Sequence, residues 1–369
     1  MAQPHPLTDI PRFDTIGGAE LKNIFKVFDV TKPLSGYLAG NPKGGYWVER
    51  LSTEWASAFS VTHAIPCNSA TSGLLAACMA AGIGPGDTVW TSGYSMSATA
   101  ACAKVLGARI VFIDIETTRY SMNPKTFTSS CPKAIIATNL FGHPAYLTSM
   151  RGWCDSNNVI LIEDNAQAIF AKENGRYAGT IGHIGVFSLN VHKHLTCGEG
   201  GVIVTSDEQL GDRLSGAINH GEMGSSGQIG LNLRLTELCA AVAVAQLDKS
   251  KFILEGRIAL AEEIASFFDA PYLIPQKPDN GCTHSYYILP IRVLDNRRER
   301  ILQRLSACNF PMRKGYSPCL NKVFASNQVC EVAEQCESEE LMTFEVCSYN
   351  PTTSQLAQMK EIVKWAINC

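Results

Sequence analysis

Lys193 stands in a polar loop between two short apolar runs, Val186-Phe187-Ser188 and Gly201-Val202-Ile203-Val204-Thr205. Gly198-Glu199-Gly200-Gly201 turns the chain into the second run, so the stretch reads as strand, loop, strand. A lone lysine in such a loop is ordinarily a solvated surface residue. Its neighbours change that reading: Ser188 ends the strand just before it, and an upstream apolar run ends in Glu163-Asp164. An amine attacks a carbonyl only when neutral, which a desolvated site favours. A hydroxyl can hold a phosphate, and a carboxylate can pair with a protonated ring nitrogen. Amine, hydroxyl and carboxylate are together the parts needed to hold pyridoxal phosphate (PLP).

Asn68-Ser69-Ala70-Thr71-Ser72-Gly73 precedes the helical run Leu74 to Ala81, with a stop at Gly82. Small residues at a helix N-terminus leave backbone N–H groups and hydroxyls converging on one spot, a phosphate cradle. An ordinary Asn/Ser cap gives the same sequence. Asp164 and Gln167 lie just past a strand end, where α/β sheets place ligands, although an Asp there can also be a plain helix cap.

The elements that must carry these residues follow in order. Leu21, Ile24, Phe25 and Phe28 have the spacing of an amphipathic helix, and a second helix spans Trp47 to Phe59. Strands are predicted at 87–91, 109–114, 134–139 and 159–162, separated by helices at 98–106 and 147–157. Continuous apolar runs alternating with helices indicate a mostly parallel sheet covered on both faces. Ser206-Asp207-Glu208-Gln209 has the form of a capping box and starts a helix reaching about Ile218. Asn219-His220-Gly221 ends it, Met223 to Gly230 is a glycine- and serine-rich loop, and an alanine-rich helix covers 236–247. Composition then shifts to a smaller α+β unit: helices at 252–268, 297–307 and 355–367, and a strand at 286–293. The expected division is a large domain over 1–250, including the N-terminal helical segment, and a small one over 251–369. The acidic stretch Glu331 to Glu340 is expected to be a solvated face.

A net charge of −3 and the lack of a long Lys/Arg cluster give no footprint for nucleic acid. The N-terminus lacks the basic and apolar regions of a signal peptide, and no apolar run approaches a membrane span, so a soluble, cytoplasmic protein is expected. Fourteen cysteines are scattered, mostly within apolar segments and without CxxC pairs. They read as reduced, buried hydrophobes, with no metal site expected. Cys197, near Lys193, is either reactive or, more ordinarily, a packing residue.

Five stretches carry a family resemblance: Asn68 to Thr71, Glu163-Asp164-Asn165-Ala166-Gln167-Ala168, Phe187-Ser188 through Lys193 to Gly201, Asn219-His220-Gly221, and Gly230-Leu231-Asn232-Leu233-Arg234. In that order and spacing the chain resembles the DegT/DnrJ/EryC1/StrS sugar aminotransferases from about Ala19 onward. The resemblance implies PLP fold type I, the aspartate aminotransferase fold: a mostly parallel, seven-stranded-type sheet between helices, with a smaller C-terminal α+β domain. It implies that Lys193 forms the Schiff base with PLP, that Asp164 pairs with the pyridine N–H, and that Gln167 contacts the ring hydroxyl. Ser69, Ala70, Thr71 and Ser188 would hold the phosphate. Asn232 would reach the phosphate from a neighbouring subunit, which implies a homodimer with shared active sites. Ala70 stands where the family usually has glycine. The ring-stacking aromatic is replaced by Met96 itself or Tyr94.

The function so implied is ping-pong transfer of an amino group, through pyridoxamine phosphate, from glutamate or glutamine to a keto sugar. That sugar would be a nucleotide-linked 3-keto or 4-keto deoxysugar. His192, Arg234, Tyr316 and the loop 223–230 are candidate contacts for donor or sugar, with Arg313 and Lys314 as further basic candidates. Dehydratase relatives carry histidine in place of the lysine, so Lys193 argues for transamination. Alternative readings are a PLP-dependent dehydratase, a cyclitol aminotransferase and a catalytically silent sugar-binding or regulatory protein.

Overall fold

The computed structural model describes residues 3–37, 43–128, 130–221 and 228–368. Seven strands form the main sheet, in the spatial order His63–Cys67, Gly201–Thr205, Ile184–Ser188, Ile160–Asp164, Ala134–Thr138, Thr88–Ser92, Arg109–Ile113. Gly201–Thr205 runs antiparallel to both its neighbours, and the remaining strand pairs are parallel.

Successive residues of a strand point to opposite faces, so a strand apolar at every position must be covered on both sides. Ile162, Val186 and Ile203 pack under helices Ala70–Ala80, Ala98–Val105 and Glu208–Ile218. Their neighbours Phe187 and Val202 pack under helices Tyr46–Phe59 and Glu237–Asp248 on the other face, and Leu161 packs under helix Leu147–Ser156. A type I aminotransferase fold results, as expected.

A second, antiparallel sheet is ordered Leu273–Pro275, Leu289–Val293, Leu341–Phe344, Met312–Lys314. It shares a core with helices Ser250–Ala265, Arg298–Ala307 and Thr353–Ile367, and Leu7 and Ile10 pack into the same core. A three-stranded ribbon joins Lys172–Glu173 to Arg176–Tyr177 and to Cys282–Thr283. Among the described residues no helix is long and apolar enough to cross a membrane.

Four local expectations change. The strand expected from 286 starts only at Leu289, because Tyr286 sits at φ 51°, outside the extended region. The cap of helix Glu208–Ile218 is Asp207, whose carboxylate accepts from Leu210 N–H at 2.8 Å. The helix Gly18–Lys26 buries Glu20, which accepts from Gln246 and pairs with Lys249, while Leu21, Phe25 and Phe28 face outward. The acidic stretch is also more than a solvated face. Cys330, Ala333 and Cys336 on it are buried, and Glu340 pairs with Arg292.

Candidate active site

Strands Ile160–Asp164 and Ile184–Ser188 are neighbours, with Asp164 opposite Val186, so their carboxyl ends present Asp164 and Ser188 side by side. After Ser188 the chain leaves the sheet and returns: Leu189 N–H donates to the Gly200 carbonyl, and Cys197 N–H donates to the Leu189 carbonyl. Lys193 rides on the loop so closed. A second tie fixes it: the buried His194 places Nε2 2.8 Å from the Ser285 carbonyl oxygen. Burial lowers the His194 pKa to about 4, so the ring is neutral and serves as a brace.

Lys193 Nζ lies 3.9 Å from the centre of the Tyr287 ring and makes no hydrogen bond among the described residues. Desolvation lowers its pKa to about 8, against the opposing attraction of Asp164. The same burial raises the Asp164 pKa, against hydrogen bonds from Thr99 and Ala166 and the charge of Lys193. Thr99 Oγ1 donates to Asp164 Oδ2 at 2.7 Å, and Ala166 N–H donates to Oδ1 at 3.2 Å. The neighbouring Glu163 is structural: its buried carboxylate accepts from Gly179, Ile181 and Gly182 N–H and from Asn139 Nδ2.

Ser69 caps helix Ala70–Ala80, its hydroxyl accepting from Ser72 N–H at 3.1 Å. The helix therefore begins at Ala70, four residues before the apolar run that signalled it. Ala70 and Thr71 N–H groups donate to nothing among the described residues and stand free at the positive end of the helix. Gly201 lets this end approach the sheet. A Cβ there would lie 2.8 Å from Ala70 N and 2.9 Å from the Phe187 carbonyl oxygen. Since Gly201 pairs with Ser188, the helix terminus and the Ser188 hydroxyl are brought to one place.

Gln167 is committed on both sides: Oε1 accepts from Phe141 N–H at 2.8 Å, and Nε2 donates to the Tyr316 hydroxyl at 2.9 Å. Tyr316 and His192 line a cavity of about 560 Å³ with Tyr287, Cys347, Arg12 and Arg313. A larger one, about 890 Å³, lies against helix Thr353–Ile367 and holds none of these groups. Tyr94 is fully buried against Phe141 and Tyr316, whereas Met96 is 53% exposed, so Met96 is the candidate with a free face. Lys314 pairs with Glu299 at 2.9 Å, and Cys197 is a buried thiol whose pKa is held well above its usual value by contact with Cys239 and by burial.

Arg234 and Asn232 are not drawn to Lys193 within this chain. Arg234 donates to Asn232 and to Asn219, and Asn68 N–H donates to the Leu233 carbonyl, which holds the segment beside the phosphate cradle. Of the loop 223–230, residues 223–227 lie outside the described residues. Thr99, Tyr287 and Asn139 carry no motif of their own; only the fold brings them here.

These groups fit PLP. A lysine with a depressed pKa faces a buried carboxylate, and two unsatisfied N–H groups lie beside a serine hydroxyl at the matching strand end. Residues 39–363 match the profile of the DegT/DnrJ/EryC1/StrS aminotransferase family. The chain is 31% identical over 268 residues to GDP-perosamine synthase of Vibrio cholerae, covering 69% of this chain and 71% of that protein. It is 33% identical over 264 residues to UDP-N-acetyl-3-dehydro-alpha-D-glucosamine 3-aminotransferase of Acidithiobacillus ferrooxidans, covering 70% and 71%. An aminotransferase structure from Psychrobacter cryohalolentis superposes with a TM-score of 0.85 at 24% identity, over 97% of this chain and 98% of that one. Two further structures of this fold, both of GDP-4-keto-6-deoxymannose-3-dehydratase and 23% and 22% identical, hold PLP. The chain belongs to the DegT/DnrJ/EryC1/StrS aminotransferase family, the PLP-dependent sugar aminotransferases.

Proposed function

We propose that this protein moves an amino group from glutamate or glutamine to a nucleotide-linked 3-keto or 4-keto deoxysugar by ping-pong chemistry. The observation that carries the reading is the depressed pKa of Lys193 opposite buried Asp164, beside a helix terminus with free N–H donors. Ala70 and Thr71 N–H and the Ser188 hydroxyl hold the phosphate. Asp164 holds the ring nitrogen, and Gln167 and Met96 position the ring. Bound there, PLP supplies an electron sink for charge developing at the substrate carbon. Lys193 Nζ would carry the proton between the substrate carbon and the cofactor, in one direction for the amino donor and in the other for the sugar. Tyr287 shields the amine from water, and His192, Tyr316 and Arg313 line the space left for substrate.

The same reading includes a cytoplasmic homodimer whose partner places Asn232 at the phosphate, with Arg234 a contact for the sugar's phosphates or the donor carboxylate. Leu21, Phe25, Phe28 and Val30 support it, being 52–72% exposed on one N-terminal segment. Such a patch suits burial against another chain. The division near residue 250 belongs to this reading as well, supported by separate apolar clusters on the two larger sheets.

The test is the visible absorbance of purified protein, beside Lys193→Ala, before and after glutamate. A PLP band that requires Lys193 and bleaches with glutamate supports the reading, and a screen of nucleotide-linked keto sugars then identifies the acceptor. If no band forms with added PLP, the reading fails.

A further inference from the structure

Three potential ligand atoms, a ring nitrogen of His143, an Asp279 carboxylate oxygen and Cys282 Sγ, all lie within 4.8 Å of one another, outside the Lys193 site. We propose that they bind a divalent cation of zinc type, which pins the loop after strand Ala134–Thr138 to the segment 279–284.

The partners of these three groups leave donor atoms free in one direction. His143 Nδ1 lies 2.8 Å from the Pro144 carbonyl oxygen, which can only accept, so Nδ1 carries the proton of the neutral ring. Nε2 then presents a lone pair. It lies 3.3 Å from Asp279 Oδ1, a buried atom without a partner in good hydrogen-bond geometry, although the Cys282 thiol also reaches this carboxylate. Among the described residues the only N–H at Nε2 is that of Asp279, at a long 3.5 Å. Two lone-pair atoms facing each other need a cation between them or a proton. The other carboxylate oxygen is already fixed, since Arg119 Nε donates to Asp279 Oδ2 at 2.9 Å and Nη2 pairs with it at 2.8 Å. A carbonyl behind the histidine and a guanidinium behind the carboxylate are the outer contacts that orient metal ligands.

Nitrogen, oxygen and thiolate sulfur in one set suit zinc better than calcium or magnesium, which take oxygen ligands. Ligand bonds of about 2.0–2.3 Å leave tetrahedral donors roughly 3.5 Å apart, so the set must contract. The partly exposed side chains of Asp279 and Cys282 have room to do this around the buried His143. Water would fill the fourth position.

The consequence for the molecule is mechanical. Phe141, two residues before His143, donates its N–H to Gln167, and Ser285, three residues after Cys282, accepts from or faces His194 beside Lys193. A cation at the trio ties together the segment that holds Gln167 and the segment that braces the Lys193 loop through His194.

The experiment uses full-length, PLP-loaded protein, stripped with a chelator and titrated with zinc chloride and, separately, cobalt chloride. The expected result is one zinc per chain retained through gel filtration. Cobalt should give a sulfur-to-metal charge-transfer band with tetrahedral visible bands. Cys282→Ser should remove the charge-transfer band and weaken zinc binding at least tenfold, while PLP absorbance is unchanged. Should that variant fail to fold, alkylation of the native protein serves instead: zinc should protect Cys282, followed by mass spectrometry. Absence of stoichiometric zinc, unchanged affinity in Cys282→Ser, or equal alkylation of Cys282 with and without zinc would overturn the proposal. The trio would then be a hydrogen-bonded junction, in which the Cys282 thiol donates to the carboxylate.

Discussion

Thr99→Val tests the electrostatic reasoning at its narrowest point. Asp164 can hold a protonated ring nitrogen only as a carboxylate, and burial pushes it toward the neutral acid. Two hydrogen bonds oppose that push, and the shorter comes from Thr99 Oγ1 at 2.7 Å. Valine keeps the shape and deletes the donor. A hydrogen bond to a charged group contributes about 1.5–3 kcal/mol, and every 1.36 kcal/mol is one pKa unit. Thr99→Val should therefore raise the Asp164 pKa by about one to two units and slow the glutamate half-reaction roughly 10- to 150-fold. The assay is single-turnover bleaching of the PLP band by glutamate at saturating cofactor, with Thr99→Ser alongside. Serine restores the donor and should recover most of the rate. If Thr99→Val reacts within twofold of the native protein, Asp164 is not held by Thr99 in any way that matters, and the argument from burial fails.

Three further outcomes follow from the same geometry. Attachment of PLP to the apoprotein should accelerate with pH and reach half its maximum near pH 8, because Lys193 must lose its proton and its pKa is lowered to about 8. A lysine with an ordinary pKa would place the midpoint above pH 10, and stopped-flow absorbance distinguishes the two. Gly201→Ala puts a Cβ against the Ala70 nitrogen and Phe187 carbonyl, backbone atoms that cannot rotate away. It should cost about 1–3 kcal/mol in urea unfolding and weaken PLP binding; a native-like unfolding midpoint would count against the close approach. Glu163→Ala strands the buried N–H groups of Gly179 and Ile181 and the part-buried one of Gly182, and removes one of the two bonds of the Asn139 amide nitrogen. Losses of about 1–3 kcal/mol for each unsatisfied group make an unfolded or strongly destabilised chain the expectation, checked by thermal melts. A melting temperature near native would show that water reaches those groups.

What could be read along the chain was whatever repeats locally. The apolar runs at 134–139, 159–162 and 186–188 announce buried strands because both faces are covered, and Ser188, Lys193 and Gly201 stand together within a single loop and its flanks. Residues that meet only after folding left no such trace. Thr99 is one threonine in an alanine-rich helix, and its role exists because that helix crosses the end of strand Ile160–Asp164. Tyr287 reaches Lys193 from nearly a hundred residues away. Tyr94 and Met96 are equal candidates on paper, and they part only when the backbone turns Tyr94 into the core. The helix Gly18–Lys26 failed in the opposite sense: its apolar period is real, but the face buried within the chain is the one carrying Glu20.

Lys193 and Asp164 show why neither group can be assigned its chemistry alone. Burial favours the neutral form of each, an uncharged amine and a protonated acid, while their mutual attraction favours the ion pair. Strengthening one support moves both: a better hydrogen bond to Asp164 stabilises its charge, and that charge raises the proton affinity of Lys193. The Thr99 hydroxyl therefore has two opposed consequences. It makes Asp164 a better partner for a ring cation and Lys193 a poorer nucleophile for PLP capture. In Thr99→Val the half-reaction with glutamate should slow, while PLP attachment at pH 7 should be unchanged or faster. A generally damaged site would slow both. Opposite signs in the two rates would locate the coupling in the pair itself.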